Sequence, residues 1–201
     1  MPEIEGFILA GGKSSRMGTD KASLLLGGES FTERIAAALS AVAWRVRLVG
    51  AQAERSSSSS SAGLFVTDVY GEWGALGGLH AALNACESEW AAVVACDLPF
   101  VTAELFARLA KERENFAAVV PVQQDERVQP LCAFYRREPC LRRTEELITA
   151  GERRPRVLLD SVNTRRVGFQ ELADLPGAGL FFTNVNTPDD YAQARQAAGV
   201  E

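Results

Sequence analysis

The residues with the clearest potential for chemistry lie near the start of the sequence, in the stretch ILAGGKSSRMGTDKASL, residues 8–24. An apolar segment leads into Gly11 and Gly12, whose lack of side chains lets backbone N–H groups approach a ligand closely. Three cations follow within the same stretch: Lys13, Arg16 and Lys21. An arginine offers a planar fork that suits phosphate oxygens, and a lysine acts as a compact point charge. This spacing favours phosphate binding over a strand-to-helix turn that carries solvated charges.

Two common phosphate-binding patterns do not fit this stretch. A Walker A loop reads G-x-x-x-x-G-K-[ST]. Gly12, Lys13 and Ser14 match its end, but Phe7 stands where the leading glycine belongs. The dinucleotide fingerprint G-x-G-x-x-G also fails, because no glycine follows Gly11 or Gly12 at the required offsets. A different arrangement of glycines and cations must therefore hold the phosphate.

Apolar segments and helical patterns alternate along the chain and must position this loop. Strands are predicted at 5–9, 45–49, 64–67, 91–95, 117–121 and 131–135. Helices are predicted at 32–41, 76–86, 102–113, 138–150 and 188–198, with Thr32 and Thr102 as caps and Pro188 in a first turn. The alternation predicts an α/β fold around a mainly parallel sheet, whose continuously apolar strands are covered on both faces.

Polar residues follow three of these predicted strands. The glycine loop 11–20 follows the first strand, Asp68 follows the strand at 64–67, and Asp97 comes just after AAVVA at 91–95. Ligands of open α/β sheets bind at the carboxyl ends of the strands. We therefore expect the loop and both aspartates on one rim of the sheet. For Asp97 the alternative to a metal ligand is a turn or helix-capping residue, and for Asp68, taken alone, the two interpretations are evenly balanced.

Composition narrows the class of protein. The chain has 201 residues and a net charge of -5, which argues against a nucleic-acid binder. No segment approaches the roughly 20 apolar residues of a membrane span, and residues 1–5 lack the basic start of a secretory signal. The four cysteines form no C-x-x-C pair. We expect a cytoplasmic protein with reduced cysteines, folded as one domain over 1–201, with a mobile serine-rich loop at 56–61.

The pattern of residues 9–21, L-A-G-G-x-S-x-R-M-G-x-D-K, resembles the signature of the molybdenum cofactor guanylyltransferases. Further matches follow in order along nearly the whole chain: Asp68, GALGG at 74–78, CDLPF at 96–100, QP at 129–130, GERR at 151–154 and NVNTP at 184–188. The resemblance implies a Rossmann-like three-layer nucleotidyltransferase fold. It also implies transfer of GMP from GTP to the terminal phosphate of molybdopterin, with release of pyrophosphate and with Mg²⁺ as cofactor.

The resemblance also assigns roles to residues. It implies Arg16, Lys21 and Asp97 as catalytic residues, with Asp97 as the metal ligand. The implied binding residues comprise the catalytic Lys21 and Asp97 together with Leu9, Ala10, Gly11, Gly12, Lys13, Gly50, Asp68, Gly77, Arg153, Asn184 and Asn186. The last three, with Arg154, are candidates for the pterin substrate. In an extended N-x-N segment both amides point to the same side, although a pre-helix turn is nearly as well supported. For the arginines the alternative is a solvated loop.

Two departures from the family pattern concern the nucleotide side. Ala75 stands where many relatives carry proline, and Gly50 stands where some carry asparagine. The alternatives are a related transferase that uses CTP with molybdopterin or a sugar phosphate, and a non-catalytic nucleotide-binding module. We expect a monomer that makes transient contact with cofactor-insertion proteins and apo-molybdoenzymes, and that binds neither nucleic acid nor membrane.

Overall fold

The computed structural model describes residues 3–10, 24–50 and 65–200. The strands of this part of the chain are β1 (Ile4–Leu9), β2 (Leu25–Leu26), β3 (Glu29–Ser30), β4 (Val46–Val49), β5 (Phe65–Val66), β6 (Trp90–Ala95), β7 (Ala118–Pro121), β8 (Cys132–Arg136) and β9 (Thr164–Val167). The helices are α1 (Phe31–Leu39), α2 (Gly74–Ala85), α3 (Ala103–Lys111), α4 (Arg137–Thr149), α5 (Pro155–Ser161) and α6 (Pro188–Ala197). Short 3₁₀ turns lie at Gly71–Trp73 and Phe169–Glu171.

Among the described residues, seven strands form one sheet in the order β5-β4-β1-β6-β8-β7-β9. All neighbours pair in parallel except those of β8, which runs antiparallel between β6 and β7. The other two strands, β2 and β3, form a separate antiparallel hairpin. The predicted mainly parallel sheet is thereby confirmed.

Helices cover both faces of this sheet, because side chains alternate between the faces along each strand. On β1, Ile4 and Ile8 pack into a cluster with residues of α1 and α3. Phe7 and Leu9, on the same strand, pack into a second cluster with residues of α2, α4 and α5. The central strands are thus buried on both faces, which explains their largely apolar sequences. The result is the three-layer α/β fold expected from the sequence.

The predicted helix caps have different outcomes. The Oγ1 atom of Thr102 accepts the N–H of Leu105 at 3.3 Å, which confirms Thr102 as the cap of α3. The prediction of Thr32 as the cap of α1 is wrong. Ser30 is the cap, because its hydroxyl accepts the N–H of Glu33 at 3.2 Å while the Glu33 carboxylate accepts the N–H of Ser30 at 2.8 Å. This reciprocal pair satisfies two polar groups at once, which a threonine inside the helix cannot do.

Several short elements are not predicted from the sequence. They comprise the hairpin β2–β3, helix α5 and edge strand β9. In β9 only Val167 is fully buried, and the strand pairs with β7 alone. Its TRRV sequence therefore lacks the apolar pattern that marks the central strands. None of the described helices is long and apolar enough to cross a membrane.

Candidate active site at the carboxyl edge of the sheet

Four neighbouring strands, β5, β4, β1 and β6, end side by side at one edge of the sheet. Three main-chain hydrogen bonds continue the pairing just past their ends: Cys96 N–H to the Leu9 oxygen (3.1 Å), Ala10 N–H to the Val49 oxygen (2.8 Å) and Gly50 N–H to the Val66 oxygen (3.1 Å). With strands about 4.8 Å apart, this edge spans roughly 14 Å, enough for a nucleotide lying across it. We call it the rim, and it carries Leu9, Ala10, Gly50, Asp68 and Asp97.

Asp97 lies two residues beyond the end of β6, in a turn closed by a bond from the Leu98 N–H to the Ala95 oxygen at 3.3 Å. Its side chain is partly exposed, whereas Leu98 beside it is buried. The buried leucine anchors the turn, which holds Asp97 at the β6 end of the rim. Mg²⁺ is commonly bound by one or two carboxylates together with water and substrate phosphates. The donor chemistry and position of Asp97 fit such an ion.

The segment Asn184, Val185, Asn186 lies directly against Asp97, although it is almost ninety residues away in the sequence. The Val185 N–H donates to the Asp97 main-chain oxygen at 2.9 Å. Val185 is fully buried, Asn186 is partly exposed and Asn184 is exposed. This alternation agrees with the predicted extended segment that presents both amides on one side. The Asn186 N–H also donates to an Asp190 carboxylate oxygen at 2.9 Å, so helix capping and exposure of the amides occur together.

A third apolar cluster holds that segment in place. It joins the hairpin, the start of α1 and helix α6 through four buried residues: Leu26, Phe31, Val185 and Ala194. The Tyr191 ring packs 6.2 Å from the Phe31 ring, centroid to centroid. Because Val185 is a member of this cluster, the position of Asn184 and Asn186 depends on packing between distant parts of the chain.

Asp68 lies at the other end of the rim, after β5. One of its carboxylate oxygens accepts the Tyr70 N–H at 2.9 Å, which fixes a tight turn. Burial raises the pKa of the Asp68 carboxyl, and the Tyr70 hydrogen bond and the nearby His80 offset part of that rise. The ring of Tyr70 meets His80 edge-on, with centroids 4.8 Å apart. His80 is 6% exposed and packs between Tyr70 and α4.

Two glycines in the first turns of α2 allow this turn to approach the helix. A Cβ atom on Gly77 would lie 2.4 Å from the Tyr70 main-chain oxygen, so no side chain fits there without a shift. A Cβ atom on Gly78 would meet Leu9 Cδ1 at 3.4 Å and an Asp68 carboxylate oxygen at 4.0 Å. Gly77 and Gly78 thus bring together β1, α2 and Asp68. Gly50 has φ +155°, a backbone conformation that side chains disfavour, so its contribution to the rim comes from the main chain.

The structure separates the roles of Arg153 and Arg154. The Nε and Nη2 atoms of Arg154 donate to the two carboxylate oxygens of Glu152, at 2.8 and 2.7 Å. These bonds, with the N–H groups of Arg154 and Arg153, lower the pKa of Glu152 to about 2. Arg153 instead places its Cζ atom 5.0 Å from the ring centroid of Trp73, beside α2. Arg153 is therefore the arginine of this pair that contacts the segment leading into α2.

Five of the predicted site residues lie outside the described part of the chain: Gly11, Gly12, Lys13, Arg16 and Lys21. The serine run at 56–61 lies outside it as well. Their proposed roles rest on the sequence and on the position of Ala10, which enters the loop from the centre of the rim.

The comparisons with known proteins agree with this geometry. The family model described as a MobA-like NTP transferase domain matches residues 6–167. The chain belongs to this family. A relative from Pelotomaculum thermopropionicum, named probable molybdenum cofactor guanylyltransferase, is 35% identical over 98% of this chain and 95% of its own length. A molybdenum cofactor guanylyltransferase from Yersinia pestis is 33% identical over 94% of this chain and 93% of its own.

A solved structure also supports this family assignment. Molybdopterin-guanine dinucleotide biosynthesis protein A from Archaeoglobus fulgidus superposes with a TM-score of 0.80 and is 27% identical. The alignment covers 97% of this chain and 98% of that one. The protein is accordingly a nucleotidyltransferase, and the resemblance found in its sequence motifs is confirmed.

Three cysteines of this MobA-like transferase are core residues. Cys86, Cys132 and Cys140 are buried and form no disulfide. Burial raises the pKa of Cys86 to about 11 and those of Cys132 and Cys140 to about 12. Such thiols stay protonated near neutral pH and act as core residues.

Two contributors to the site of this transferase lack a decisive sequence signal. Val185 looks like any apolar residue between two asparagines, and its role depends on the third cluster. Trp73 precedes a glycine-rich turn and could equally cover the core or line the site. Its contact with Arg153 connects it with the rim. An aromatic residue directly before the GALGG motif is the signal that could have suggested it.

Proposed function

We propose that this nucleotidyltransferase transfers GMP from GTP to the terminal phosphate of molybdopterin, forming molybdopterin guanine dinucleotide and pyrophosphate. The observation that carries the proposal is the bond between the Val185 N–H and the Asp97 oxygen. It brings Asn184 and Asn186 next to the aspartate at the β6 end of the rim. A nucleotide site and a second substrate site can therefore share one reacting centre. The names of the two guanylyltransferase relatives support the choice of GTP and molybdopterin.

The proposed reaction is an in-line displacement. An oxygen of the acceptor phosphate forms a bond to the α-phosphorus of GTP, and the bond from that phosphorus to the bridging oxygen of the β-phosphate breaks. Pyrophosphate leaves with the electron pair. Because the attacking phosphate is already anionic, the reaction needs charge compensation and positioning more than a strong base. We assign charge compensation to Lys13, Arg16 and Lys21, and positioning of the acceptor to Arg153, Asn184 and Asn186.

We further propose that Asp97 holds Mg²⁺. Within residues 3–10, 24–50 and 65–200, no three His, Cys, Asp or Glu side chains gather as a metal cage. A single carboxylate suits an ion that completes its coordination with water and substrate phosphates. Bound there, Mg²⁺ would neutralise negative charge on the nucleotide phosphates. Asp68 and the main chain of Gly50 and Gly77 would line the nucleoside part of the site.

The compartment and the partners are part of the same proposal. We propose a cytoplasmic monomer that passes its product to cofactor-insertion proteins and apo-molybdoenzymes through transient contacts. Its acceptor is then a small molecule and not a nucleic acid or a membrane surface.

The proposal is tested by calorimetric binding of GTP, CTP and ATP with Mg²⁺, and by pyrophosphate release with GTP and molybdopterin. We expect a preference for GTP and a loss of turnover on the order of 100-fold in Asp97→Asn. Asp174→Asn is the control, because this exposed aspartate pairs with Arg108 outside the rim. A preference for CTP would indicate that the protein is a cytidylyltransferase instead. Full turnover in Asp97→Asn would refute the metal role.

A further inference from the structure

His80 is a polar side chain buried among the apolar residues of α2, where it is 6% exposed. Its Nδ1 atom is enclosed and has no hydrogen-bond partner among the residues that the structure describes. The other ring nitrogen, Nε2, lies 3.7 Å from a carboxylate oxygen of Glu145, whose side chain is 55% exposed, so this pair contributes little stability. A buried polar atom without a partner costs free energy that an apolar side chain would avoid. Packing alone therefore does not account for a histidine at this position.

The ring of His80 contacts the turn that carries Asp68. It meets the Tyr70 ring at 4.8 Å between centroids, with an angle of 85° between the ring planes. Such an edge-on arrangement is a favourable one for two aromatic rings. Gly77 lies three residues before His80, on the same face of α2, and its missing side chain leaves room for the Tyr70 main-chain oxygen. Gly77 thus admits the main chain of Tyr70, and His80 holds its ring.

Tyr70 in turn holds the carboxylate of Asp68. The Tyr70 N–H donates to one carboxylate oxygen at 2.9 Å. The other carboxylate oxygen lies 4.0 Å from the place that a Cβ atom on Gly78 would take, beside α2. The ring of Tyr70 is itself 36% exposed, so its contact with His80 anchors a side chain that is partly open to solvent. A continuous set of contacts therefore runs from His80 through Tyr70 to Asp68.

His80 also acts on Asp68 through charge. Burial raises the pKa of the Asp68 carboxyl, and the Tyr70 hydrogen bond and the charge of His80 each counteract that rise. Both effects favour the ionised carboxylate, which is the stronger acceptor for the Tyr70 N–H and for a donor on a bound nucleoside. A leucine or a phenylalanine in α2 would fill the same space without this effect.

We infer that His80 is a positioning residue for the nucleoside side of the site: it holds Tyr70, whose N–H fixes the Asp68 carboxylate. The inference rests on the proposed function, since that function assigns Asp68 to the nucleoside of GTP. His80 acts through Tyr70 and takes no part in the bond-making step. Its replacement therefore weakens GTP binding and leaves the KM for molybdopterin unchanged.

The experiment compares His80→Leu and His80→Phe with the unmutated protein by calorimetric titration with GTP and Mg²⁺, by urea unfolding and by the KM for molybdopterin. His80→Leu should weaken GTP binding about two- to tenfold, the change that one edge-on aromatic contact supports. Its urea midpoint should match that of the unmutated protein, because removal of an unpartnered polar atom offsets the lost ring contact. His80→Phe keeps the edge-on contact and should restore most of the GTP affinity. In a Tyr70→Leu background, His80→Leu should add little to the loss.

Phe106 supplies a matched control on the opposite face of the sheet. Its ring meets the Phe134 ring edge-on at 6.4 Å, in the cluster formed with α1 and α3. Phe106→Leu should lower stability and leave GTP affinity unchanged. Unchanged GTP affinity in His80→Leu, an equal loss in Phe106→Leu, or additive effects of His80→Leu and Tyr70→Leu would overturn the inference. An unmutated protein that binds no GTP would instead refute the proposed function, and the role of His80 in GTP binding with it.

Discussion

The substitution Gly77→Ala tests how closely α2 must approach the turn that carries Asp68. The new Cβ atom would lie 2.4 Å from the Tyr70 oxygen and 3.1 Å from the Tyr70 carbonyl carbon and Cβ. Two of these atoms belong to the main chain, so the turn itself has to move. The Tyr70 N–H bonds to Asp68 and the Tyr70 oxygen accepts the Trp73 N–H. A shift of Tyr70 therefore displaces both of these site residues.

Comparison with the neighbouring substitution Gly78→Ala isolates the steric cost of Gly77→Ala. Its Cβ atom would make ordinary contacts, the nearest being Leu9 Cδ1 at 3.4 Å. Both changes gain helix propensity of up to about 1 kcal/mol, so this contribution largely cancels between them. The remaining difference is the cost of overpacking, about 1–3 kcal/mol in the free energy of unfolding. For a chain of this size this corresponds to a difference of roughly 2–12 °C in Tm.

The assay is urea unfolding and thermal melting of both variants beside the unmutated protein, followed by nucleotide titration. Gly77→Ala should be the less stable variant and should bind GTP more weakly, whereas Gly78→Ala should match the unmutated protein or exceed its stability. If the two variants were equally stable within about 0.5 kcal/mol, the steric account of the turn would be refuted. Unchanged GTP affinity in a destabilised Gly77→Ala variant would instead show that this turn does not contribute to nucleotide binding.

Two further predictions concern charged groups outside the centre of the rim. Glu5 is fully buried, bonded to Arg45 at 2.7 Å and to the Glu87 N–H at 2.9 Å. Glu5→Gln should therefore lower the free energy of unfolding by about 3 kcal/mol, because the partly buried Arg45 and Arg47 lose the carboxylate they share, while Arg45 keeps its pair with Glu87. Glu3→Gln, at a 74% exposed side chain that also pairs with an arginine, should cost less than about 1 kcal/mol; equal losses in urea unfolding would contradict the distinction. The pKa of Glu152 is lowered to about 2 by its bonds to Arg154. The stabilisation from this pair is thus complete above the ordinary glutamate pKa of 4.5 and is lost as the pH falls toward 2. A carboxyl NMR titration should show that low pKa, and an ordinary value would disprove the pairing.

The sequence by itself determined the central part of the sheet and the residues at the ends of its strands. Largely apolar runs mark β1 and β6 because both faces of these strands are covered, and a glycine pair and Asp97 follow them in the sequence. Local signals also located the cap at Thr102 and the first turn at Pro188, since capping depends on neighbours in the chain. The motif resemblance then indicated the family, which the comparisons confirmed.

Short elements and cap choice were less well determined. The TRRV sequence of β9 has no apolar alternation, because an edge strand needs only one buried position. Ser30 and Thr32 are both plausible caps by type. The reciprocal bond to Glu33 decides between them.

Only the tertiary structure decided which distant residues share the rim. Val185 brings Asn184 and Asn186 to Asp97 because a buried cluster joins the hairpin, α1 and α6. Arg153 and Arg154 are equivalent in sequence, yet Glu152 binds one and Trp73 the other. Periodicity and capping are properties of adjacent residues and can be derived from a sequence. Contacts across the sheet depend on how whole elements pack. They therefore cannot be derived from residues that are adjacent in the sequence.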